Sequence, residues 1–96
     1  TNEYGQLVMV ERDYRFTEQR KTEIMKMLIE EKKLPKFPCE TEKVSYLDGC
    51  KVYFKNGGWI ITRFSGTEPL VRIFCEMEDK EQADLFCDIM KEFLGL

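Results

Sequence analysis

The sequence predicts an α+β domain in which two helices pack on one face of a mostly antiparallel sheet, in the order β-α-β-β-β-β-α. Three observations carry that prediction. Two long stretches with helical apolar spacing lie in the first and last thirds of the chain. Between them run short segments of alternating apolar and polar residues, as in Cys50, Val52 and Phe54 against Lys51, Tyr53 and Lys55. Turn dipeptides, Asp48-Gly49 and Asn56-Gly57, separate those segments as two-residue hairpins do. With 96 residues, the chain is long enough for one domain and one core.

Taken in order, Gln6–Asp13 reads as the first strand and Tyr14–Phe16 as a turn. Thr17 caps a helix over Glu18–Lys33, with Glu18 in its first turn and Ile24, Met27 and Leu28 on its inner face. Pro35 and Pro38 make Leu34–Glu42 a loop. Val44–Leu47, Cys50–Lys55 and Trp59–Phe64 follow as a meander. Leu70–Met77 then places Val71, Ile73, Cys75 and Met77 on one face and Leu70, Arg72, Phe74 and Glu76 on the other. Asp79 with Gln82 forms a capping-box-like start to the last helix, whose stripe is Ala83, Phe86, Cys87, Met90, Phe93 and Leu94. The methionines and Trp59 read as packing residues.

Composition narrows the function. A hydrophobic content of 43% argues against disorder. No apolar run reaches the length of a membrane span. Fifteen Lys and Arg against 18 Asp and Glu give a net charge of −3, the wrong sign for most nucleic-acid binders. Histidine is absent, which removes the commonest general base and zinc ligand. The four cysteines contain no Cys-x-x-Cys pair. They could form two disulfides in three ways. Cys50, Cys75 and Cys87 fall in apolar segments, however, as thiols in a reducing compartment such as the cytoplasm do.

Chemistry concentrates in Arg63-Phe64-Ser65-Gly66-Thr67-Glu68-Pro69, between two apolar strands. Gly66 allows a sharp turn and a close ligand approach. Ser65 and Thr67 carry hydroxyl donors, and the backbone amides of the turn suit an anion. Arg63 presents a planar fork for phosphate oxygens. If the flanking strands pair, Arg72 returns beside it. Ser-Gly-Thr is also ordinary turn composition, and the arginines could instead be solvated or paired with Glu68 and Glu76. A phosphate clamp requires Glu68 to point away. A different reading casts Tyr53, Phe64 and Phe74 as the stacking aromatics of an RNA-binding sheet; the charge opposes it.

The run Arg63-Phe64-Ser65-Gly66-Thr67-Glu68-Pro69-Leu70-Val71-Arg72-Ile73 closely resembles the R-x-S-G-T-E-P-x-x-R signature of the α-D-phosphohexomutases. It is most similar to the bacterial phosphoglucomutase/phosphomannomutase branch, and phosphoglucosamine mutases carry a similar loop. Phe64 departs from the proline common there. The resemblance covers about Leu47–Leu96 and marks the family's C-terminal domain, which has a TATA-box-binding-protein-like fold. It implies that Arg63, Ser65, Gly66, Thr67 and Arg72 contact the phosphate that is not transferred. The implied ligands are a hexose 1-phosphate, 6-phosphate or 1,6-bisphosphate. It places the phosphoserine and the magnesium ion in other domains of the enzyme, so this domain would need no cofactor and, alone, would be an inactive monomer. Thr1–Gly5 would be the remnant of an interdomain hinge, and residues 6–96 the phosphate-binding domain. Neither a T-A-S-H-N motif nor a D-x-D-x-D metal loop occurs in the sequence.

Overall fold

β-Branched and aromatic residues alternating with charged ones favour pleated, half-buried strands. In the computed structural model, which describes residues 7–47, 49–66 and 68–96, they form five: β1 (Val8–Arg15), β2 (Thr41–Ser45), β3 (Cys50–Phe54), β4 (Trp59–Phe64) and β5 (Leu70–Met77). Their spatial order is β1-β5-β4-β3-β2, and every neighbouring pair is antiparallel. Helix α1 (Glu18–Met25), extended by a π-helical turn over Lys26–Glu30, and helix α2 (Lys80–Leu94) complete the α+β order expected from the sequence.

Register explains the layering. Val10, Cys75, Ile60, Val52 and Val44 align across the sheet. Side chains of one parity share a face, so this row turns toward the helices and the intervening residues form an open face. Ile24 and Leu28 of α1 and Ala83, Phe86, Cys87, Met90 and Leu94 of α2 are buried against the inner face. Phe37, from the proline-bounded loop, stacks on Phe86 at 5.2 Å and meets Phe54 edge-on at 5.1 Å, closing that side of the core. Thr17 accepts a bond from the Arg20 amide and Asp79 one from the Gln82 amide, so both anticipated caps form.

Several boundaries differ from the sequence reading. β1 runs to Arg15 because Tyr14 and Arg15 pair with Val71 and Leu70, so pairing overrides the turn expected at residues 14–16; Gln6 lies outside the described residues. β2 begins at Thr41 and stops at Ser45, earlier than Val44–Leu47. It is an edge strand, where polar Thr41, Glu42 and Lys43 can face water and hide the apolar signal. The expected helix ends early, since Lys32 takes a positive φ of 56°. The β3–β4 hairpin is wider than two residues: the Gly57 amide bonds the Phe54 carbonyl, and the Phe54 amide bonds that of Gly58. Met9 and Met25 are exposed rather than core.

Cys50, Cys75 and Cys87 are buried free thiols. Burial pushes the Cys50 thiol up to about 11, while a hydrogen bond with Tyr46 draws it back. Its pKa is therefore higher folded than unfolded. The neutral thiol supports the fold fully below about pH 9, and that support is lost as pH rises through about 11. Thermal melts should stay level from neutral pH to about 8.5 and fall above 9, the range of an unperturbed thiol. Cys50→Ala should be less stable at neutral pH yet lose less on alkalinisation. An equal alkaline loss in that variant would show that another group is responsible.

Candidate phosphate-binding site

The site forms where β4 ends and β5 begins. Arg63 and Arg72 are direct cross-strand partners on the open face, so the proximity anticipated from the sequence is present. Cβ atoms of such partners lie about 4.5–5.5 Å apart, and like charges there repel. Asp13, the β1 partner of Arg72, places Oδ1 3.6 Å from its Nε. That leaves the terminal nitrogens of Arg72 for other partners. Arg63, Phe64, Ser65, Gly66, Arg72 and Phe74 line a cavity of about 310 Å³, at the lower end of the range for small-molecule sites. A second recess of about 260 Å³ lies on the other side of Arg63 and Phe64, walled by Met25, Ile29, Tyr46 and Gly49. Its largely apolar lining does not suit an anion, so the first is the candidate site.

The turn itself is tied down from several directions. The Ser65 amide bonds the Leu70 carbonyl at 2.9 Å, and the Phe16 amide bonds that of Pro69 at 3.0 Å. Ser65 Oγ accepts from the Glu68 amide at 3.2 Å. Gly66 does not have a positive φ, and a Cβ added there would meet nothing within 4 Å. The fold therefore does not require glycine at 66; what glycine leaves is open space beside the turn. Glu68, whose carboxylate would repel a phosphate, lies 3.7 Å from Arg15 Nη2. Glu76 accepts a bond from Trp59 Nε1 at 3.0 Å. Thr67 lies outside the described residues, so the structure brings together Arg63, Ser65, Gly66 and Arg72 of the five expected contacts.

Lys21 is the residue that sequence reading missed. Its Nζ donates to the Ser65 carbonyl at 2.9 Å across 44 residues. A signal for it existed. Arg20 and Lys21 sit in the first turn of α1, where the helix dipole disfavours cations. Each finds a carbonyl elsewhere: Arg20 Nη2 reaches the Leu94 carbonyl at 2.7 Å, at the end of α2.

The RNA-sheet reading loses its geometry. Tyr53 and Phe74 lie on the open face, but Phe64 turns to the helices and packs near Phe16, with ring centroids 6.5 Å apart. Lys51 covers both Tyr53 and Trp59, at 4.8 and 4.4 Å from the ring centroids.

Comparison with known proteins points the same way. Residues 14–93 match the model for the phosphoglucomutase/phosphomannomutase C-terminal domain. Phosphoglucomutase/phosphomannomutase from Thermococcus kodakarensis is 40% identical over 47 residues, covering 49% of this chain and 10% of that protein. A probable phosphoglucosamine mutase from Methanosphaera stadtmanae is 31% identical over 78 residues, covering 81% of this chain and 17% of that protein. A probable phosphoglucosamine mutase from Methanopyrus kandleri is 41% identical over 54 residues, covering 52% and 12%. The chain thus spans less than a fifth of the length of these relatives. Among the described residues no helix is long and apolar enough to cross a membrane, and no group of three Cys, Asp or Glu could hold a metal ion. With a family match over most of its length, the chain belongs to the phosphoglucomutase/phosphomannomutase C-terminal domain family.

Proposed function

We propose that this domain binds the non-transferred phosphate of a hexose phosphate during interconversion of 1-phosphate and 6-phosphate sugars by a larger enzyme. The observation that carries the reading is the opposed Arg63–Arg72 pair beside the open Ser65-Gly66 turn. An anion beside the two guanidinium groups accepts charge-assisted hydrogen bonds from both. Ser65 and Gly66 contribute the wall, and Thr67 a further hydroxyl. Holding the unreactive phosphate lets its binding energy position the reacting end of the sugar. The phosphoserine, the magnesium ion and the residues that read the sugar hydroxyls belong, in this reading, to other domains, and the setting is the cytoplasm.

A second reading assigns the parent enzyme to the phosphoglucosamine mutases. A relative that covers 81% of this chain carries that name. Both readings give this domain the same task, because the phosphate is common to their substrates.

Calorimetric titration of the 96-residue chain separates phosphate recognition from the alternatives. Glucose 1-phosphate and glucose 6-phosphate should bind with millimolar affinity, the strength of about 4 kcal/mol, and more weakly as salt rises. Glucose and single-stranded RNA should not bind. Binding of glucose equal to that of its phosphates would overturn the reading.

A further inference from the structure

We propose that Lys21 is a positioning residue that fixes the Ser65–Gly66 peptide so that its amide faces an anion. This rests on reading the turn as a phosphate site. The Lys21 ammonium sits 2.9 Å from the Ser65 carbonyl oxygen and is partly buried. The described residues contain no cis peptide bond. In a planar trans peptide the carbonyl of one residue and the N–H of the next point in opposite directions. A lysine that holds the Ser65 carbonyl toward α1 therefore sends the Gly66 N–H away from α1. Ser65 and Gly66 also line the cavity shared with Arg63 and Arg72.

The restraint matters because glycine adopts both signs of φ readily. A peptide unit next to Gly66 meets no Cβ of that residue as it rotates, and the side of Gly66 where a Cβ would stand is open. In the rotated form the electronegative carbonyl, rather than the N–H, would face the anion. Lys21 stabilises one orientation, and its charge polarises the peptide so that the N–H becomes a stronger donor. Residence in the first turn of α1, against the helix dipole, is explained by this contact with the turn between β4 and β5.

The test uses Lys21→Met, which keeps the aliphatic stem, and Lys21→Arg, which keeps the charge, in the 96-residue chain. In the free protein, Lys21→Met should move the Gly66 amide resonance while core amides and the melting temperature stay close to wild type. Titrated with inorganic phosphate, it should bind roughly two- to fivefold more weakly, the scale of one charge–dipole contact. The phosphate-induced shift at Gly66 should also shrink, while Arg63 and Arg72 still respond. Lys21→Arg should recover both the Gly66 resonance and the affinity. Three results would overturn the proposal: an unmoved Gly66 amide in Lys21→Met, unchanged phosphate affinity, or a Lys21→Arg variant that regains affinity without regaining the Gly66 resonance. A wild-type chain that shows no phosphate response would instead sink the site reading, and the free-protein resonance would still test the anchoring of the peptide.

Discussion

Arg63→Ala should abolish most phosphate binding while leaving the fold intact. A hydrogen bond to a charged group contributes about 1.5–3 kcal/mol. Its loss should therefore weaken binding of glucose 1-phosphate roughly ten- to hundredfold, which takes a millimolar interaction out of measurable range. Arg63 is exposed at the end of β4, so stability should change by no more than about 0.5 kcal/mol. Calorimetry and a thermal melt on the same sample read both quantities. Unchanged affinity would remove Arg63 from the site. A large fall in melting temperature would make it a structural residue.

Gly49→Ala should do the reverse, with a large loss of stability. Gly49 has φ of +94°, a conformation that costs an L-residue on the order of 1 kcal/mol or more. A Cβ there would also collide with the Thr62 carbonyl oxygen and crowd the Arg63 Cα at 3.2 Å. The obstacle is backbone of a central strand, so it cannot swing aside as a flexible side chain would. The combined cost should reach about 3 kcal/mol, which for a domain of this size lowers the melting temperature by about 12 °C or more. Because the β2–β3 turn presses on β4 at the residue that precedes Arg63, any relaxation should also displace the guanidinium. Gly66→Ala makes the contrast, since nothing in the fold opposes a Cβ there. A Gly49→Ala variant as stable as wild type would mean that the β2–β3 turn does not press on β4 as described.

The contrast between those glycines shows what was legible in the sequence. Alternation along Cys50–Phe54 and Leu70–Met77 located β3 and β5, because each strand has one face in the core and a period of two. The stripe and N-cap of α2 were equally plain. β2 was blurred because an edge strand needs few apolar residues, and the π-helical turn was invisible because no side-chain preference separates it from an α-helical turn. Arg63 and Arg72 could be paired in advance, since a short connection between adjacent strands fixes their register. Lys21 could not be placed that way. Its partner lies 44 residues along the chain, and only the packing of α1 against the β4–β5 turn brings them together. The helical periodicity of α1 likewise could not reveal that Met25 would stay exposed beside a recess.

The most direct test of the central claim is a residue-resolved amide titration of the 96-residue chain with inorganic phosphate. Phosphate carries no sugar, so it isolates the clamp. The account predicts saturable shifts confined to Ser65, Gly66, Thr67 and Glu68, with the side-chain resonances of Arg63 and Arg72 moving in step. Saturable shifts centred elsewhere, or no response at tens of millimolar, would contradict it.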